Sequence, residues 1–355
     1  MNILFDVQHL YYLPQYLPVY SKLKESGVKC QFVFYKNEES ELQHVCEQIV
    51  AQESLDVVWV ENWEQALEIY KSKSPDWIVF GNAVQDLNVL HKYSKTVLMQ
   101  HGIGPKSCYY DVSENPTTVR FVEGQHRLKR LQDLYPTGCF FDSGYAKLDA
   151  AFDNQNSSLS LHDLGLDENK PTLLYAPTFY PSSIEMFDKS FANDFSDYNI
   201  ILKPHFFSLT KKKYAAQLKR LKHFAKQPNV YLAKVADYNL MPFMAISDIM
   251  LSDASSAIFE FAALNKPVVW CDFYKLRWSY RGIFKYRFKQ RLDSDISYFE
   301  QVAIKANSYK DVKNAVSEVE GYPFENRTAT IEQLAGTVDG NSAQRIVDYL
   351  LDHTS

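Results

Sequence analysis

His101 and His205 head the side chains whose types and settings could do chemistry in this chain. In Gln100-His101-Gly102-Ile103-Gly104-Pro105-Lys106 an imidazole stands where an apolar run stops, and two glycines let backbone come close to a ligand. Histidine takes a proton from an attacking hydroxyl near neutral pH. The same residues also suit a plain turn in which the histidine bonds only to backbone. Ile201-Leu202-Lys203-Pro204-His205 repeats the design: an apolar strand, a cation, and a proline that cannot continue a ladder, so that His205 opens a loop.

A third segment reads as strand, polar turn and helix: Asp248-Ile-Met-Leu-Ser-Asp253-Ala-Ser255-Ser256-Ala-Ile-Phe-Glu260. Ser255 and Ser256 fall at or beside the helix N-cap, where free backbone N–H groups and hydroxyls bind phosphate. A serine N-cap is common in any helix, so Ser255 alone does not select an anion. Two serines beside Asp253, with Glu260 one to two turns on, make a more specific set. The Glu260 carboxylate can fork two ribose hydroxyls, or it is a helix-surface acid favoured by the dipole.

The elements that must position these groups are legible as alternation. Apolar runs at Asn2–Phe5, Cys30–Tyr35, Val57–Val60, Trp77–Phe80 and Val97–Gln100 alternate with helical patterns at Leu17–Lys24, Ser40–Ala51 and Trp63–Ser72. Strand after helix after strand implies parallel sheets with crossover helices, whose strand ends face ligands. Arg120–Tyr135 reads as helix and Gly138–Asp142 as strand. Alternation restarts at Pro171, and further strands are expected at Tyr198–His205, Val230–Ala233, Asp248–Ser252 and Pro267–Trp270. The expected organisation is an N-terminal domain over 1–151, a polar linker over 152–170, a second α/β domain over 171–335 and a terminal helix within 336–355.

A length of 355 residues exceeds what one core ordinarily organises, in keeping with two domains. The net charge of -5 argues against a general nucleic-acid binder. Five scattered cysteines without a CxxC pair indicate neither zinc nor a disulfide framework, and fit a reducing compartment. No apolar run approaches the roughly 18–20 residues of a spanning helix. The expectation is therefore a cytoplasmic protein, with peripheral contact at the inner face of the membrane as the second option.

In this order, His-Gly-x-x-x-Lys, Tyr-Ala-Pro-Thr, Lys-Pro-His and Asp-x-Ser-Ser-x-x-Phe-Glu-Phe resemble the CDP-glycerol glycerophosphotransferases, over roughly residues 97–348. The resemblance implies an α/β fold of GT-B type, two Rossmann-like domains with parallel sheets facing a central cleft. It implies a CDP-alditol donor and a polymer or lipid-linked acceptor of the teichoic-acid or capsule kind.

By that likeness His101 matches the residue that activates the acceptor hydroxyl, with Gly102, Gly104 and Lys106 on the acceptor and phosphate side. His205, Ser255 and Ser256 match positions that hold the donor pyrophosphate, joined by Lys203, Thr178, Asp253 and Glu260. Arg281-Gly282 resembles an Arg-Gly-Phe-Tyr segment near the phosphates, and Gly144-Tyr145 a turn before the interdomain crossover. Ala146 and Lys147 stand where the family has proline and arginine, and Tyr180 follows Ala-Pro-Thr-Phe where it often has arginine. No protein-bound cofactor or metal is implied, and magnesium carried with the donor is left open.

Two basic segments carry a second set of readings. Residues 211–226 form an amphipathic pattern whose narrow stripe, Tyr214, Leu218, Leu221 and Phe224, suits packing on a sheet. Contact with anionic lipid is the alternative. Residues 274–291 interleave aromatics with cations, a composition for gripping a polyanion, a membrane surface or the donor itself. Rival functions on the same architecture are a nucleotide-sugar glycosyltransferase for capsule or lipopolysaccharide, a sugar-nucleotide epimerase, and a non-catalytic nucleotide- or glycan-binding scaffold.

Overall fold

The structure is a computed structural model that describes residues 1–104, 107–152, 159–276 and 293–354. The chain divides into two compact units. The first comprises Met1–Ile103, Cys108–Asp153 and Glu332–Ser355; the second comprises Gly104–Ser107 and Asn154–Ile331.

Unit 1 is built on seven parallel strands: β1 (Asn2–Val7), β2 (Lys29–Tyr35), β3 (Val57–Val60), β4 (Trp77–Phe80), β5 (Lys95–Met99), β6 (Val119–Val122) and β7 (Phe140–Asp142). Their order is β3-β2-β1-β4-β5-β6-β7. Successive residues of β1 from Ile3 onward and of β4 are buried, so both faces of the sheet are covered. This is why such strands read as continuous apolar runs rather than alternating ones. At the end of β1, Asp6 is wholly buried and its carboxylate accepts from the hydroxyls of Tyr70 (2.7 Å) and Tyr35 (2.9 Å).

Helices close the unit through explicit end contacts. Asn62 caps the helix Trp63–Lys73 by accepting from the Gln65 N–H. The helix Ser342–Asp352 begins on Asp149, whose carboxylate accepts from the N–H groups of Ser342 and Ala343 at 3.2 and 2.7 Å. At its far end Trp77 Nε1 donates to the Thr354 hydroxyl.

Unit 2 has six parallel strands: β8 (Thr172–Tyr175), β9 (Asn199–Leu202), β10 (Val230–Leu232), β11 (Ile249–Ser252), β12 (Val268–Cys271) and β13 (Ile304–Ala306), in the order β10-β9-β8-β11-β12-β13. The first six strands of unit 1 follow the same path. In each unit the order reverses once, between β1 and β4 and between β8 and β11. The carboxyl ends of strands beside such a reversal are where doubly wound sheets bind ligands.

Two strands depart from the reading of the sequence. Residues 119–122 form a strand before the helix Gly124–Leu134, where one helical segment was expected from Arg120. Arg120 breaks the apolar run yet is buried, its NH1 donating to the Ser113 hydroxyl at 2.7 Å. The strand Ile304–Ala306 is three residues long and carries Lys305, which bridges to Asp272 at 2.9 Å.

Within 211–226 the helix Ala215–Phe224 turns Leu221 and Phe224 into the unit 2 core, leaving Lys211, Lys212, Lys213, Lys219 and Lys222 exposed. No helix among the described residues is long and apolar enough to cross a membrane.

Candidate active site

In unit 1, β5 ends one residue before Gln100 and delivers His101 beside the strand reversal. The Gly81 carbonyl, just past β4, accepts from the His101 backbone N–H at 3.3 Å and lies 2.9 Å from its Nδ1. A carbonyl oxygen can only accept, so Nδ1 carries the hydrogen and the neutral ring keeps its lone pair on Nε2. The Gln100 amide nitrogen also stands 3.2 Å from Nδ1, while its Oε1 is buried without a partner. Turning that amide over brings an acceptor to the same Nδ1 hydrogen. The Tyr145 hydroxyl donates to the His101 carbonyl at 2.9 Å, pinning the backbone as well. Gly102 is buried beside it.

Rings enclose the imidazole. Tyr12 stacks on it at 5.3 Å and 28°, Tyr11 meets it at 4.8 Å, and Tyr109 meets it edge-on at 5.7 Å. Of the tyrosines around His101, Tyr145, which bonds its carbonyl, was visible in the sequence through the Gly144-Tyr145 turn. The others come from the loop after β1 and from residues past His101, and tyrosine is too common here to signal a site.

In unit 2, Lys203 and His205 follow β9, and Thr178 follows β8. Backbone bonds tie the two loops: the Lys203 N–H donates to the Tyr175 carbonyl and the His205 N–H to the Pro177 carbonyl. The His205 ring is prepared the opposite way from His101. Its Nδ1 accepts from the Phe207 N–H at 3.2 Å, so the neutral ring carries its hydrogen on Nε2, a donor suited to an anionic oxygen.

Asp253, just past β11, has no exposed surface. Its carboxylate accepts from the Thr178 N–H at 2.7 Å, from the Ser183 N–H and hydroxyl at 3.0 Å, and from Ser182 at 3.4 Å. It shapes the loop that carries Thr178. Burial pushes the carboxyl up to about 7, against the lowering effect of these bonds.

Ser255 and Ser256 lie at the start of the helix Ala257–Ala263; the Ser255 hydroxyl accepts from the Ala257 N–H at 3.3 Å. Glu260 is 1% exposed and accepts from the Ser256 hydroxyl at 3.0 Å, orienting that serine. Gly104 groups with unit 2 and lies on Ser256, where an added Cβ would come within 3.2 Å of the serine Cβ. Lys106, Arg281 and Gly282 lie outside the described residues, as does most of 274–291. Among the described residues no group of three or more His, Cys, Asp or Glu side chains has metal-binding geometry.

The profile of a family described as CDP-Glycerol:Poly(glycerophosphate) glycerophosphotransferase matches residues 5–352. Among curated proteins, the chain is similar to the teichoic acid ribitol-phosphate primase of Bacillus spizizenii, 28% identical over 202 residues. That match takes in 52% of this chain and 44% of the primase. It is also similar to the teichoic acid poly(glycerol phosphate) polymerase of the same organism, 27% identical over 232 residues, which cover 60% of this chain and 53% of the polymerase. The matched region thus spans about half the length of these relatives. Among solved structures, the wall teichoic acid polymerase TagF superposes with a TM-score of 0.66 at 16% identity, covering 99% of this chain and 88% of that one. This likeness shows the fold, two parallel α/β units of GT-B type.

Proposed function

The chain belongs to the CDP-glycerol:poly(glycerophosphate) glycerophosphotransferase family, and from that membership we propose that it moves glycerol phosphate, or a similar alditol phosphate, from a CDP-linked donor. The acceptor is a hydroxyl of a cell-surface polymer or of its lipid-linked precursor, and the second product is CMP.

In this reading the acceptor oxygen forms a bond to the phosphorus that bears the alditol. The bond from that phosphorus to the bridging oxygen breaks, and the acceptor proton passes to Nε2 of His101. CMP departs with the bridging oxygen and its electron pair. Phosphoryl transfer of this kind is mainly positioning and charge stabilisation. His205 Nε2–H, the Lys203 ammonium and the Ser255 and Ser256 hydroxyls are the groups that would meet the donor's charge. Arg281 and Gly282 join them by sequence likeness, and Gly102, Gly104 and Lys106 serve the acceptor side. Magnesium, where present, travels with the donor. The exposed lysines of 211–226 are the surface for peripheral contact with anionic lipid.

The single observation that supports this reading best is the opposed preparation of the two histidines, a base at His101 and a donor at His205. With purified protein, CDP-glycerol and a lipid-linked acceptor analogue, His101→Ala is expected to lower turnover about 10²–10⁴-fold with donor binding kept. Turnover within a few-fold of wild type would remove the base. His205→Ala is expected to weaken donor binding as well as turnover; unchanged donor affinity argues against its phosphate role. Release of a nucleoside diphosphate in place of CMP would favour a sugar transferase.

A further inference from the structure

We infer that Tyr12 is the positioning residue that holds the His101 imidazole with Nδ1 on the Gly81 carbonyl and Nε2 toward the acceptor. The inference rests on His101 being the base.

Tyr12 ends the short turn Leu10–Tyr12 that follows β1, so the strand reversal itself brings it to Gly81, the residue after β4. Gly81 has no room for a side chain. A Cβ there would lie 2.6 Å from Cγ of Tyr12 and within 2.9 Å of both ring Cδ atoms. The tyrosine ring therefore rests directly on the glycine whose carbonyl binds His101, and the same ring stacks on the imidazole. With the planes only 28° apart, turning the imidazole about its Cβ–Cγ bond gives up this stacking on Tyr12. Tyr11 and Tyr109 bound the imidazole further.

The hydrogen bond to Gly81 selects the tautomer, and Tyr12 prevents the ring from leaving that bond. Gly81 serves both, supplying the acceptor and the empty space. Near-attack placement of this kind is sensitive to small displacements.

The test uses the full chain labelled with ¹⁵N-histidine, reading the imidazole nitrogens of His101, assigned by their loss in His101→Ala, together with steady-state kinetics. Wild type and Tyr12→Phe are expected to show hydrogen on Nδ1. Tyr12→Leu is expected to show mixed tautomers, kcat lower by about 10- to 100-fold, an unchanged KM for the donor and a shifted acid limb of the kcat profile. Gly81→Ala, which keeps the tyrosine but displaces its ring, is expected to do the same. A merely structural role would lower the amount of folded protein and leave the tautomer and the pH profile of the remainder unchanged, and that result overturns the inference. Where His101→Ala is inactive but Tyr12→Leu and Gly81→Ala keep the tautomer and the rate, the inference alone falls. A fully active His101→Ala removes the base reading and the inference with it.

Discussion

At the residue scale, one backbone group each sets two identical side chains in opposite tautomers: a carbonyl on Nδ1 of His101, an N–H on Nδ1 of His205. Buried carboxylates supply a second lesson. Burial pushes Asp6 up to about 6, with the Tyr70 and Tyr35 hydroxyls pulling the other way. Its folded value thus lies above the ordinary 3.8. Between these two values the folded chain binds more proton than the unfolded one, so this group's contribution is fully present below pH 3.8 and is lost as pH rises through about 6. Asp6→Asn is expected to remove that slope. Urea midpoints compared from pH 4 to 7 should diverge from wild type by on the order of 2–3 kcal/mol. Parallel pH curves for the two proteins would show that Asp6 does not titrate in this way.

At the element scale, the helix Gly124–Leu134 and β6 set a paired arginine against one with fewer partners. Arg127 Nε meets the Glu123 carboxylate at 2.8 Å, with both side chains at 7% exposure or less. Arg120 uses NH1 on Ser113, while its Nε and NH2 are buried without hydrogen-bond partners among the described residues. Burial first, then the Arg127 charge, pull the Arg120 guanidinium down from its ordinary value. Removing one member of a buried pair strands the other, so Arg127→Ala is expected to cost about 3–5 kcal/mol of unfolding free energy. Arg120→Met should be neutral or stabilising in the same urea titration, and a loss as large as that of Arg127→Ala would show unseen partners.

The same elements mark how far the sequence could be read. Strands such as Trp77–Phe80, buried on both faces, announce themselves as apolar runs, and the helix Trp63–Lys73 by its helical pattern over Trp63–Ser72. β6 hid because a cation sits inside it, and β13 because three residues carry no period. At the candidate site, motifs pointed to His101, His205 and the serines. Which nitrogen each ring presents was not legible, because it depends on carbonyls and N–H groups brought in by other strands. The bonds that Asp253 and Glu260 accept from Thr178, Ser183 and Ser256 were not legible either, because a carboxylate beside serines bonds to whatever donors the fold supplies.

At the scale of the whole molecule, the unit that carries His101 is made of three stretches of chain, the last far from the others in sequence. Asp149 holds the start of the helix Ser342–Asp352 across 193 and 194 positions of sequence. Asp149→Ala is expected to lower unit 1's calorimetric transition by about 1–2 kcal/mol of stability and to leave unit 2's in place. An equal shift of both transitions would mean that the units melt as one.

That interruption orders events at the ribosome. The seven-stranded sheet emerges first, but residues 332–355, which complete its unit, come after all of unit 2. At about 5–20 residues per second the sheet waits roughly 10–40 s for its last helix. During that interval the surface which that helix later covers is open to water and to chaperones, while unit 2, nearly continuous in sequence, is free to fold.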